Sequence, residues 1–111
     1  WFILVPRRAD VSEVFDLDAA DQLALWQEAT ALAAALKDSF AADKMNVATL
    51  GNMVSQLHMH VIVRTREDAA WPAPVWGKLP AQPYSEAQLA EVLARLRSLL
   101  TDDFRFMQEA S

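Results

Sequence analysis

The run SQLHMHVIVR, residues 55–64, holds both histidines of the chain, His58 and His60, one residue apart. Alternate residues of a β-strand share a face. Leu57, Met59, Val61 and Val63 make one uniformly apolar set, while Gln56, His58, His60, Ile62 and Arg64 make the other. The alternation predicts a strand over 54–64 with its odd positions on the core. Gln56, His58 and His60 then stand in a row on the open side, about 7 Å apart at each step. A pair of core histidines fits this pattern poorly, because the apolar face is already supplied by other residues. A metal site needs more: zinc takes at least three protein ligands, and the chain has no third His and no Cys. An Asp or Glu from elsewhere would have to complete it, and the spacing nominates none. The third reading is nucleophilic catalysis. An imidazole is largely neutral at physiological pH and can attack phosphorus, splitting one hard displacement into two easier ones. Neighbouring polar groups would then stabilise the phosphate oxygens as charge builds up on them.

Outward from this strand the pattern changes several times. Phe2 to Val5 is a run of β-formers closed by Pro6 and followed by Arg7 and Arg8. Asp18 is a suitable N-cap for a helix over 18–40, with Asp21 in its first turn. Leu23, Trp26, Ala29, Ala33, Leu36 and Phe40 recur at helical spacing and are expected to form its buried stripe. From Met45 the period is two: Met45–Leu50 and Val54–Arg64 read as a hairpin turning around Gly51-Asn52. All but one of the prolines lie between Ala69 and Pro83, so that segment is an extended loop. Ser85-Glu86-Ala87-Gln88 is a capping box opening a second helix, with Leu89, Val92, Leu93, Leu96 and Leu99 or Leu100 on its buried side. After Thr101 the periodicity fades. Strand, helix, hairpin, loop, helix is an α+β order, an antiparallel sheet with a long helix packed on one face.

At 111 residues the chain is expected to be one domain, 1–111. Its opening on Trp1-Phe2-Ile3 reads as a strand entered midway, with a lead-in expected upstream. With 53% hydrophobic and 23% charged residues the composition is that of a globular protein. No apolar run approaches the roughly 20 residues of a membrane span, and no membrane partner is expected. The absence of Cys excludes disulfides and thiol catalysis and fits a cytoplasmic protein. Net charge is −5, and the ten Lys and Arg are scattered, which argues against binding nucleic-acid polymers through their phosphates. A small phosphorylated ligand needs only a few local donors. Arg64, Arg7 and Arg8 are candidates for that, or simply solvated strand-end charges. Trp71, Pro72, Pro74, Trp76 and Gly77 either wall a base-binding cleft by stacking or pin their loop to the domain.

The stretch Gly51-Asn52-Met53-Val54-Ser55-Gln56-Leu57-His58-Met59-His60-Val61-Ile62 resembles the signature of the histidine triad (HIT) superfamily. That signature is Gly-Gln, three residues, then His-x-His-x-His and two apolar residues. The element order is similar as well, and the resemblance covers roughly residues 1–77. It implies a HIT-like fold, usually a homodimer, that binds nucleotides without a cofactor or metal. The implied activity is a hydrolase or nucleotidyl transferase acting at the α-phosphate of nucleotide conjugates, of dinucleoside polyphosphate or nucleoside phosphoramidate type, through a nucleotidyl-histidine. On this mapping His58 is the nucleophile, His60 contacts the α-phosphate region, and Asn52 stands where the family has a phosphate-side Gln. Asn46 lies close to the family's ribose-side Asn, one residue short in spacing, and Trp71-Pro72 is similar to the Trp-Pro of the Hint branch. Two departures matter: Gln56 replaces the first His, and Met53 replaces a Ser or Thr that helps hold phosphate. The C-terminal helix, outside the common core, implies a subfamily. The alternatives are a weak or inactive nucleotide-binding module and a His-x-His metal-binding protein.

Overall fold

Strand β3 (Met59–Arg64) lies at the centre of a three-stranded antiparallel sheet, between β1 (Phe2–Leu4) and β2 (Lys44–Thr49). The β-branched run Val61-Ile62-Val63 suits a strand paired on both edges. The computed structural model describes residues 1–77 and 83–99. It falls into two compact units, Trp1–Leu79 and Pro80–Ser111. The expectations that fall on residues 78–82, on Leu100 and beyond Thr101 lie outside the described residues.

Register sorts the side chains of the first unit. Ile3 and Ala48 are the partners of His60, and Asn46 that of Ile62, so these share one face. Phe2 and Val47 pair with Val61, and Leu4 and Thr49 pair with Met59, on the other. The second face carries the core. Leu57 and Met59 pack with Leu17 and with Leu25 and Ala29 of α1 (Ala19–Ser39), and Leu4, Val11, Val14 and Val47 close around them. A short 3-10 turn, Val14–Asp16, leads into α1. As expected, the Asp18 carboxylate caps the helix, accepting from the Asp21 N–H at 2.8 Å. The fold is thus α+β, with the helix on the apolar face of β3.

Two expectations need correction. The buried stripe of α1 is Leu25, Ala29, Leu32 and Leu36, whereas Leu23 and Trp26 are 58% and 55% exposed. Both stripes run at helical spacing through an alanine-rich helix, so periodicity alone leaves the rotation open. Packing against Leu57 and Met59 selects one. The hairpin is also wider than a two-residue turn. The first cross-strand pair is Thr49 with Met59, leaving residues 50–58 as the connection. A two-residue hairpin turn takes φ near +60° at its first central residue, and in type I′ positive φ at both. Within this loop only Gly51 has positive φ, at +143°. The loop is drawn instead toward the chain after β1: the Leu57 N–H donates to the Val11 carbonyl at 2.9 Å. Gln56 and His58 therefore precede the strand rather than lying in it.

In the second unit, α2 (Glu86–Leu99) begins as the capping box requires. The Gln88 N–H donates to Ser85 Oγ at 3.2 Å, and the Ser85 N–H to Gln88 Oε1 at 3.0 Å. Leu89, Val92, Leu93 and Leu96 are its least exposed side, while Leu99 is exposed. Among the described residues no helix is long and apolar enough to cross a membrane.

The rotation of α1 has a measurable consequence. Leu25→Ala is expected to cost about 2–5 kcal/mol of stability. Leu23→Ala, on the exposed stripe, should cost about 0.5 kcal/mol or less. Urea denaturation of the two variants at low protein concentration checks this, and equal losses would refute the assignment.

Candidate active site

His58 and His60 are held by different groups and are left in opposite tautomers. His58 Nδ1 lies 2.7 Å from the backbone carbonyl of Gln56. A carbonyl can only accept, so Nδ1 carries the proton and Nε2 keeps its lone pair. His60 Nδ1 instead receives the indole N–H of Trp1 at 2.9 Å. An indole can only donate, so in the neutral His60 ring the proton sits on Nε2. The two imidazoles meet edge to face, 5.0 Å between centroids. One nucleophilic nitrogen thus stands beside one N–H donor.

The face carrying His60 is not open, contrary to expectation. His60 is only 7% exposed. Trp76 packs on its ring at 5.1 Å and Trp1 at 5.7 Å, and the two indoles meet each other at 5.5 Å. The aromatic residues of the chain's start and of the proline-rich loop cover what alternation alone leaves bare. Burial, and secondarily the charge of His58, push the His60 imidazole below its ordinary value of 6.5. It stays neutral and keeps its Nε2 proton available.

Gln56 does not reach across to the imidazoles by its amide. Its Nε2 donates to the Arg8 carbonyl at 3.0 Å, tying the 50–58 loop to the segment after β1. Arg8 is in turn paired bidentately with Asp21, at 2.7 and 3.0 Å. Asn52 lies on the exposed part of the same loop, beside Met53, which is 96% exposed.

Arg64, expected to meet a phosphate, is 2% exposed and otherwise engaged. Its Nε and one terminal nitrogen hold Asp68 at 2.8 and 3.1 Å. The same terminal nitrogen donates to the Ala73 carbonyl at 2.8 Å, and the other donates to Asn46 Oδ1 at 2.8 Å. Its guanidinium also lies 5.7 Å over the Trp71 ring. Four of its five N–H groups are thus used internally. The Arg64 hydrogen bonds hold the Asp68 carboxyl down at about 2. The expected residues therefore form two groups: Gln56, His58 and His60 in one, and Asn46, Arg64 and Trp71 in another some four residues, roughly 13 Å, along the strand. Trp1 and Asp68 were not expected in either. Trp1 is two residues from Ile3, the partner of His60, so strand register was the signal that could have found it. Asp68 sits four residues beyond Arg64, in a tight turn whose own N–H groups it also accepts from.

Among the described residues, no cluster of three or more His, Cys, Asp or Glu stands together as a metal site. A groove of about 380 Å³ lies on the helix side, lined by Val14, Gln22, Leu25, Trp26, Thr49 and Met59. It includes none of the expected site residues.

The family model described as HIT domain matches residues 1–67. A histidine triad protein from Marinobacter aquaeolei VT8 is 52% identical with a TM-score of 0.85, covering 88% of this chain and 72% of its own. One from Sinorhizobium meliloti 1021 is 47% identical with a TM-score of 0.85, covering 88% and 73%. One from Bradyrhizobium japonicum is 42% identical with a TM-score of 0.84, covering 87% and 72%. No curated protein matches.

The two tautomers and the buried ring give two checks. Long-range ¹H–¹⁵N spectra above pH 7 should show the Nδ1–H form for His58 and the Nε2–H form for His60. As pH falls, the unfolded chain protonates this histidine at its ordinary 6.5, while folded His60 resists until a lower pH. Stability is then full above pH 6.5 and declines as pH drops from there through the folded value. Denaturation midpoints across pH 5–8 should show the decline, and His60→Asn should flatten it.

Proposed function

The chain belongs to the histidine triad family, whose members bind nucleotides and are usually nucleotide hydrolases or transferases, and from that premise we propose that it cleaves nucleotide conjugates at the α-phosphate through a nucleotidyl-His58 intermediate. The observation that carries this reading is the 2.7 Å bond between His58 Nδ1 and the Gln56 carbonyl. It sets the tautomer that leaves Nε2 free to attack.

In the first step the Nε2 lone pair forms a bond to the α-phosphorus. The bond from phosphorus to the leaving group breaks, and the leaving group departs with that electron pair and takes up a proton from solvent. His58 is now a phosphorylated imidazolium with its positive charge stabilised by the Gln56 carbonyl. In the second step water attacks the same phosphorus and gives up a proton. The nitrogen–phosphorus bond returns its electrons to Nε2, and a nucleoside monophosphate leaves. His60, neutral and protonated on Nε2, donates to a non-bridging phosphate oxygen in both steps. Its neutrality matters, because a second positive ring 5.0 Å away would oppose formation of the imidazolium.

Gln56 cannot carry a proton. In this reading it orients: its amide anchors the loop to Arg8 while its carbonyl holds His58. Asn52 faces the substrate from the loop, and Asn46 and Trp71 serve the ribose and base side. The alternative, a nucleotide-binding module with weak or no turnover, shares the same site and differs only in chemistry. The working species is a homodimer. Among the described residues β2 is hydrogen-bonded on one edge only, a feature that calls for cover, and Leu23 and Trp26 are exposed on α1.

Four measurements test the proposal. Incubation with dinucleoside polyphosphates, nucleoside phosphoramidates and aminoacyl adenylates should yield a nucleotidyl adduct on His58 by mass spectrometry. His58→Ala should fall below about a thousandth of wild-type turnover while still binding nucleotide. A wild type that binds nucleotide and turns over none of the panel would leave the binding module. Gln56→His should change kcat/KM by no more than about tenfold, or roughly 1.4 kcal/mol. A gain of about a hundredfold or more would mean that the position must exchange a proton. Light scattering of the full gene product at tens of micromolar should give a dimer, and a monomer would count against the assembly.

A further inference from the structure

We propose that Arg64 is a positioning residue for the histidine site: by binding Asp68, the Ala73 carbonyl and the Trp71 ring at once, it fixes the segment that lays Trp76 on His60. The inference rests on the reading of His60 as a phosphate-side donor, and its structural part stands on contacts alone.

The chain leaves β3 at Arg64 and returns to it at Trp76, whose ring meets His60 at 5.1 Å. Between these points a series of short turns runs from Thr65 to Ala73. The Asp68 N–H donates to the Thr65 carbonyl, Trp71 to Asp68, and Ala73 to Ala70, at 3.0, 3.1 and 2.8 Å. Such turns are local and do not by themselves fix where the segment lies over the sheet. Arg64 supplies what they lack. It is buried on the sheet face that also carries His60, and it grips the segment at three places. Asn46 Oδ1, on the neighbouring strand, fixes the guanidinium from the other side. Ala73 is three residues from Trp76, so its carbonyl is the last tie before the indole. Arginine is suited to this because its planar fork serves four acceptors in set directions, which a lysine ammonium cannot do.

The consequence lies in the hydration of His60. Trp76 and Trp1 pack on the ring and shield it from water, and the charge that acts on it is that of His58. If the Trp76 wall loosens, water enters and the imidazole returns toward its ordinary value. Loss of a residue that merely adds stability would lower the melting temperature and leave the folded His60 unchanged.

The test is an NMR titration of the imidazoles in the whole protein. Asp68→Asn removes the charged acceptor with little change of shape, and Trp71→Leu removes the ring beneath the guanidinium. Leu32→Ala, in the helix core and away from the segment, supplies a control of comparable or greater stability loss. Expected is an upward move of the His60 titration by about half a unit or more in both segment variants, with none in Leu32→Ala. If Asp68→Asn does not fold, Trp71→Leu decides. An unmoved His60 in a folded segment variant, or an equal move in Leu32→Ala, overturns the proposal. Failure of the wild type to turn over any nucleotide conjugate would remove the proposed reaction, and the titration would still decide what Arg64 does.

Discussion

Strand β3 is paired on both edges, and that single constraint organises the rest of the molecule. With its edges taken up by β1 and β2, what remains is its two faces, and here both are buried, although an antiparallel sheet can leave one in water. On one face the cover is apolar, with Met59 packed among Leu25 and Ala29 of α1 and Val61 fully buried. On the other face the strand presents His60 and Arg64, which burial would penalise unless each found partners. Each does. Trp1 donates to His60, while Asp68, Asn46 and Ala73 satisfy Arg64. The polar face is therefore built to be buried, and the segments that bury it also shape the site.

The division of labour between the histidines follows from where the strand begins. His58 lies just ahead of β3, and there its ring turns to the Gln56 carbonyl two residues back. His60 lies inside the strand, where its neighbours are the indoles brought in by β1 and the loop. An acceptor against one ring and a donor against the other produce opposite tautomers. This arrangement uses backbone and indole groups whose hydrogen-bonding sense cannot change with pH. The contact from position 56 to His58 comes from the main chain and so does not depend on which side chain stands there.

The same economy appears at Arg64. Salt bridges on a surface contribute little, but this guanidinium is buried and touches three parts of one segment together with the adjacent strand. Breaking such a cluster leaves a charge without partners, which is costly. The segment from Thr65 to Trp76 carries two prolines, a tight carboxylate-centred turn and two tryptophans. Its position over the sheet depends on one residue of the strand it leaves.

The sequence by itself determined the α+β order, the capped helix starts at Asp18 and Ser85, the apolar face of β3 and the resemblance carried by Gly51 to Ile62. These are local properties, written in period, propensity and motif, and they do not depend on what packs against them. Only the tertiary structure decided the rotation of α1, because two apolar stripes at the same spacing, through Leu23 and Trp26 or through Leu25 and Leu32, cannot be told apart until a partner surface is present. It likewise decided that the hairpin opens to residues 50–58, since the Leu57 bond to Val11 joins segments far apart in the chain. It placed Trp1 and Trp76 on His60, and it turned Arg64 from a surface cation into a buried clamp. Alternation says which residues share a face. Whether that face meets water depends on residues as far away as the other end of the unit, and no local pattern records them.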